Sequence, residues 1–433
     1  MIPRRLIAAS LAVALSVTAL SSCAATTEAT DAATSQLSTS ELFDSTLVHE
    51  ITVDFDEDDY AAIIAAYEDD GSKEWLTATV TIDGTVIENV GLRLKGNSSL
   101  RGIAGQSGDG AASSEDPSTI PWLIRLDKYV DGQTYQGRSE LIVRGNNSET
   151  ALNEAVALEL IGLAGLATQE ATSVRFSVNG GDETLRLVIE SPDDELWSDA
   201  VFGDAGITYE AETEGDYSYR GETAEDYADA FTQQTDEDET NLQPVIDLLA
   251  FVDSASDAEF EASLGDYLDV DAFATYLAIE SLLDNFDDID GPGNNSYLRW
   301  DSTTGLITVV AWDHNLALGV SGGGGMGGMP GGDGDQQRPP TDMGGGAPPT
   351  EGDQGGRPGM IGSNPLSERF MDSATFSALY EEKVTELTSS LYSSGVASDV
   401  LASWVSTLTT QASDLVDSET IEAEATSVGK YFE

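Results

Sequence analysis

Apolar and polar residues alternate from about Leu42 onward, first with the period of strands and later with that of helices. Glu50-Ile51-Thr52-Val53-Asp54-Phe55 repeats every second residue, as a half-buried strand does, and Asp59 to Tyr67 moves to helical spacing. Trp75 to Ile82 and Thr85 to Leu94 flank Asp83-Gly84, a pattern that predicts a hairpin on a type I′ turn. Two more strand pairs follow. Pro121 to Leu126 and Leu141 to Arg144 flank Asp131-Gly132, and Ser173 to Val178 and Thr184 to Glu190 flank Asn179-Gly180. Between these pairs, Asn153 to Leu163 reads as an amphipathic helix ended by Gly165. After Tyr209 helices dominate, over Asp226 to Thr232, Asn241 to Val252, Asp257 to Leu264 and Asp271 to Leu283. One hairpin interrupts them, Ser296 to Trp300 and Leu306 to Trp312 on a Thr304-Gly305 turn. Three further helices are expected between Asn364 and Tyr431. The expected fold class is α+β, with a sheet-rich N-terminal part and a helical C-terminal part.

Two segments stand outside this pattern. Arg4 and Arg5 precede an apolar run from Leu6 to Leu20, shorter than the roughly 20 residues of a membrane span. The run ends in Leu20-Ser21-Ser22-Cys23, with the chain's single cysteine. This resembles a bacterial lipobox, which implies a signal peptide over 1–22 and lipidation of Cys23; the alternative is an ordinary signal peptide with an incidental cysteine. Residues 23–41 read as a flexible tether from membrane to domain. The second segment, 321–362, is expected as a disordered insert. Within it, residues 322–362 hold 17 of the 43 glycines, 6 of the 13 prolines and no aromatic residue, too little apolar surface to offset the entropy of ordering. Residues 42–320 are then the core of the domain, and 363–433 the helices that complete it.

Charge narrows the partners. With 19 basic and 78 acidic residues the formal charge is −59, which opposes nucleic acid and anionic lipid alike. Such acidity keeps a secreted or salt-exposed protein soluble, or makes a surface that gathers divalent cations.

The densest polar cluster is Asp284, Asn285, Asp287, Asp288, Asp290, Asn294 and Asn295, with Asp313 and Asn315 at the end of the next expected strand. The hairpin between them returns Asp313 toward the loop, so carboxylate and amide oxygens converge as hard ligands for Mg²⁺ or Ca²⁺. An EF-hand fails, because its first and twelfth positions would fall on Phe286 and Tyr297. Zinc is excluded by one cysteine and two distant histidines. His49, before a strand, is expected at the surface. His314 is expected to pack on the face opposite Asp313. Ser98-Ser99 has no histidine base beside it in the text, which leaves a hydrolase as a poor third reading.

Three blocks of text carry a family resemblance. The first joins Asp284-Asn285-Phe286-Asp287, Gly291-Pro292-Gly293-Asn294-Asn295-Ser296-Tyr297-Leu298 and Trp312-Asp313-His314-Asn315. The second is Arg93-Leu94-Lys95-Gly96-Asn97-Ser98-Ser99, and the third runs from Asp127-Lys128-Tyr129 to Gln136-Gly137. Together, over roughly residues 45–320, they resemble the CotH family, spore-coat-type secreted kinases with an atypical protein-kinase-like fold. The resemblance implies a two-lobed kinase-like domain and phosphoryl transfer from ATP, assisted by Mg²⁺ or Mn²⁺. It makes Asp287 the base-like aspartate, with Asp288 as the alternative register, and Asn295 and Asp313 the metal ligands. Two lysines expected by the family are absent, since Leu123 and Glu210 stand in their places. Lys95, Arg93 and Arg125 are the substitute cations for the phosphates. Ordinary kinase motifs are absent, and the separation of eight between Asp287 and Asn295 exceeds the usual five. The function implied is a surface lipoprotein kinase, anchored at the extracytoplasmic face of the membrane, acting on Ser/Thr of coat or envelope proteins. The alternative is a non-catalytic lipoprotein of the same fold that binds a partner or divalent cations.

Overall fold

The first seven strands of the protein close on themselves. In the computed structural model, which describes residues 41–96, 98–100, 102–103, 112–236, 240–289, 294–320 and 364–432, these are β1 (Val48–Phe55), β2 (Leu76–Ile82), β3 (Thr85–Leu94), β4 (Trp122–Arg125), β5 (Glu140–Val143), β6 (Ala171–Val178) and β7 (Thr184–Glu190). Their order round the barrel is β1-β2-β3-β4-β5-β7-β6. Every neighbouring pair is antiparallel except β1 and β6, whose parallel pairing from Val48↔Ser173 to Val53↔Val178 seals the barrel. The expected hairpins stand. Asp83 and Gly84 have φ of 47° and 79°, and Asn179 and Gly180 have 50° and 69°, the left-handed pairs that a type I′ turn needs. The closure of the barrel was not predicted from the hairpins. The expected signal peptide, Cys23, the expected tether up to residue 40 and the expected 321–362 insert lie outside the described residues, and Glu41 already belongs to a short 3₁₀ turn, Glu41–Phe43.

Alternation along the strands fills the barrel. Val90, Leu92, Leu94, Trp122, Ile124, Leu141 and Val143 point inward and pack with Ile51, Val53 and Phe176. Helix α1 (Glu57–Asp70) follows β1, started by Asp56, whose carboxylate accepts from Asp58 N at 2.8 Å.

A second sheet and the remaining helices enclose a larger core. Strands β8 (Gly206–Ala211), β9 (Phe231–Gln233), β10 (Ser296–Asp301) and β11 (Ile307–Ala311) lie in the order β11-β10-β8-β9, all antiparallel. Around them stand α2 (Leu152–Leu163), α3 (Glu195–Phe202), α4 (Gln243–Ser254), α5 (Asp257–Ser263) and α6 (Val270–Leu282). The chain ends in α7 (Pro365–Asp372), α8 (Ala374–Leu387), α9 (Val396–Gln411) and α10 (Ser418–Gly429). The class is therefore α+β, sheet-rich first and helical later. Among the described residues, no helix is long and apolar enough to cross a membrane.

Several expectations are corrected. Residues 226–232 are a short 3₁₀ turn and β9, because Ala230 N closes on Tyr227 O at 2.9 Å and Phe231 then pairs with Ala211 of β8. Four helices, not three, follow Asn364: Ser373 caps a new helix directly after α7, and Gly395, at φ 88°, separates α8 from α9. His49 is not at the surface. It is buried within β1, with Nδ1 2.6 Å from the Asp83 carboxylate in the hairpin turn.

Candidate functional site

The barrel strands that show an apolar face inward show a charged face outward. On β3, β4 and β5 the outward positions, extended by one residue beyond β3 and β5, are Arg93, Lys95, Leu123, Arg125, Glu140, Ile142 and Arg144. Leu123 and Ile142 belong to the larger core, so this face is covered by the second layer. Since β3 and β5 are both antiparallel to β4, they run the same way and deliver Lys95 and Arg144 to one rim. Gly96 turns the chain there at φ 93°, where a Cβ would collide with Ser99 Oγ.

Each cation at the rim meets acids from the other layer. Lys95 Nζ lies 3.0 Å from Asp193 Oδ2, before α3, and 3.8 Å from Glu210 Oε1 on β8. Asp193 also accepts from Tyr297 OH of β10 at 2.8 Å. Burial alone would pull the Lys95 ammonium down, but Asp193 and Glu210 outweigh it and hold its pKa above the ordinary lysine value. Arg144 pairs with Glu154 of α2 at 2.8 Å and hydrogen-bonds Asp313. Both cations stand against the Trp312 ring, 5.6 Å (Lys95) and 5.5 Å (Arg144) from its centroid. Burial, then the Asp193 charge, pushes the Glu140 and Glu210 carboxyls up to about 7, against the opposing pull of Arg125 and Lys95 respectively.

The acidic loop meets this rim from the helical side. Helix α6 stops at Leu282, and Asp284 takes φ 50°, turning the chain into the loop. Pairing of Ser296 with Ala311 sets Asn295 and Trp312 just beyond the paired ends of the hairpin. Asp313 then adopts φ 63°, a left-handed conformation that aspartate tolerates better than most residues, and its carboxylate meets Arg144. Asn295 Nδ2 donates to Asp287 O at 2.7 Å. Burial and the neighbouring Asp313 charge raise the Asp287 carboxyl above the usual range, while an Asn295 hydrogen bond opposes them. Asn295 and Asp287 are thus in direct contact, and Asp313 stands near enough for its charge to act on the Asp287 carboxyl. Asp288 is instead buried, its charge acting on the Tyr276 hydroxyl. His314 is buried, as expected, but β11 ends before it, so its placement comes from the turn at Asp313 rather than from strand alternation.

The three substitute cations part company. Lys95 reaches the rim, beside Glu210. Arg93 stacks on Trp75, its Cζ 4.7 Å from the ring centroid, and Lys128 Nζ stands at 4.7 Å from the same ring. Arg125 is held by Asp127 at 3.0 Å and Glu140 at 3.4 Å. Sequence reasoning missed Arg144, Glu154 and Asp193. Arg144 closes a predicted strand, and outward alternation from Glu140 through Ile142 was the available signal for it.

Two carboxylates and one amide are a hard-oxygen set that suits Mg²⁺, which takes one or two carboxylates and completes its shell with water and phosphate. No group of three or more His, Cys, Asp and Glu side chains suited to a metal is found among the described residues. The residues fit a metal shared with phosphate.

Barrel, covering sheet and acidic loop together define an α+β protein with a layered, charge-lined site. The chain belongs to the CotH family: the family model described as "CotH kinase protein" matches residues 92–420. That match begins within β3 and runs into α10, so it includes the C-terminal helices and leaves out β1, α1 and β2. Among curated proteins the chain is similar to "Inner spore coat protein H" of Bacillus subtilis (strain 168), 23% identical over 198 residues, or 44% of this chain and 53% of the relative. The chain thus spans about half the length of the curated relative it matches.

Proposed function

We propose that the protein is a kinase that transfers phosphate from ATP to Ser/Thr hydroxyls of extracytoplasmic proteins, held at the membrane by lipid on Cys23. The observation that carries this reading is the approach of Asp287 to Asp313 and Asn295 at a rim lined by Lys95 and Arg144. Phosphoryl transfer asks a protein chiefly to position groups and neutralise charge, and these residues suit both tasks. Asp313 and Asn295 would hold Mg²⁺ or Mn²⁺, which when bound neutralises phosphate charge. Asp287, with its raised proton affinity, would take the proton of the acceptor hydroxyl. Lys95 and Arg144 would exchange part of their bonding with Asp193, Glu210 and Asp313 for phosphate oxygens. The domain would then be kinase-like and two-lobed, with the barrel and its covering layer as the nucleotide-holding lobe.

One observation favours a second reading. Lys95 and Arg144 are each already held by two acidic side chains, so neither is a free phosphate hook. On that reading the site binds cations or a partner without turnover. Incubating the purified protein with labelled ATP, Mg²⁺ or Mn²⁺ and a Ser/Thr-containing acceptor decides between them. Label transfer that is lost in Asp287→Asn supports the kinase, and binding of metal and ATP without transfer supports the alternative.

A further inference from the structure

Behind the two acids runs a line of buried polar side chains. His314, next to Asp313, is 0% exposed, and its Nε2 lies 2.8 Å from Glu280 Oε1 on the last turn of α6. Glu280, 1% exposed, accepts through its other oxygen from Asn285 Nδ2 at 2.8 Å. Asn285 Oδ1 in turn accepts from the backbone N of Asp287 at 3.3 Å. A carboxylate buried this deeply is tolerated only when its oxygens are bonded, and here both bonds go to residues that flank or hold the two site acids.

We propose that Glu280 is a positioning residue: through His314 it places Asp313, and through Asn285 and the Asp287 backbone, whose carbonyl accepts from Asn295 at 2.7 Å, it places Asn295, so that both ligands serve one divalent cation. The inference rests on the metal reading given under Proposed function. Outer partners of this kind typically govern metal affinity by about 10–100-fold. The same bonds could serve stability alone, and the two roles separate experimentally.

The test is a titration of Mn²⁺ with a non-hydrolysable ATP analogue into the purified full chain, followed by electron paramagnetic resonance. Asp313→Asn supplies the background from other surface acids, and the thermal midpoint of each sample is recorded without metal. Asn285→Ala and His314→Ala are expected to weaken Mn²⁺ binding by about 10–100-fold while each remains folded. His314→Gln, which keeps a donor near the Nε2 position, is expected to bind close to wild type. If wild type binds and the folded alanine variants bind equally tightly, a shift in midpoint alone is left and the positioning role is overturned. If His314→Ala does not fold, Asn285→Ala decides by itself. If wild type binds no Mn²⁺ above background, the metal reading fails and this inference falls with it.

Discussion

The two faces of β3, β4 and β5 are held by different forces. Inward they are wholly apolar, with Leu92, Leu94, Trp122, Ile124, Leu141 and Val143 in one cluster. Outward the same strands and their ends carry Lys95, Glu140 and Arg144, each buried against partners of opposite charge, with Arg125 half-exposed beside Glu140 and Arg93 stacked on Trp75. The inner face is held by area removed from water, and any apolar residue of similar volume would serve there. The outer face is held by specific pairs, where loss of one partner strands the other in a poorly solvating interior. The inner face accounts for the fold and the outer face for the chemistry.

The largest effect is expected from the inner face. Trp122 is fully buried, lies tilted against Phe55 and Tyr60 with ring centroids at 6.1 and 6.3 Å, and donates from Nε1 to Pro117 O at 2.9 Å. Trp122→Ala should cost about 3–5 kcal/mol in denaturant unfolding. A loss below about 1 kcal/mol would mean that the barrel is not a close-packed core.

On the outer face, Arg144→Met leaves Glu154 buried without its cation and should cost about 3 kcal/mol. Adding Glu154→Leu should recover most of that loss, because a buried pair is often no more stable than apolar residues of its volume. A double variant as unstable as the single one contradicts the pairing argument.

A smaller effect separates the faces by pH. Folded Glu140 and Glu210 keep their protons up to about 7, against an ordinary 4.5 for the unfolded chain. The folded state therefore binds more protons between these values, and stability from this source falls as pH rises from about 4.5 to about 7. Urea midpoints across that window should decline less steeply for Glu140→Gln than for wild type. Parallel declines would remove Glu140 from the account.

The inner face was legible in the sequence because alternation marks it directly, and the turns at Asp83-Gly84 and Asn179-Gly180 fix which strands pair. Closure by β1 on β6 was not, since parallel pairing across more than a hundred residues leaves no local mark. Asp287 and Asn295 could be picked out from a dense polar run, and Asp313 from the end of the hairpin that follows it. Their cation Arg144 could not, because its partners Glu154 and Asp313 come from α2 and from the end of β11, and only the folded barrel joins them. Strand β8 escaped notice for a related reason. It lies between β10 and β9, so its register and the meeting of Glu210 with Lys95 depend on neighbours far along the chain.

The central claim is that Asp287 and Asp313 belong to one metal–phosphate site, and Asp313→Asn tests it most directly. Because Asp313 also bonds Arg144, the substitution removes an attraction as well as the repulsion with Asp287, so the metal-free midpoint should move little. The stabilisation that Mg²⁺ and ATP together confer on wild type by binding the folded state should be largely lost in the variant. Thermal midpoints of both proteins, with and without Mg²⁺ plus ATP, make the comparison. A shift present in wild type and absent in Asp313→Asn is the predicted result, and an undiminished shift in the variant would contradict the claim.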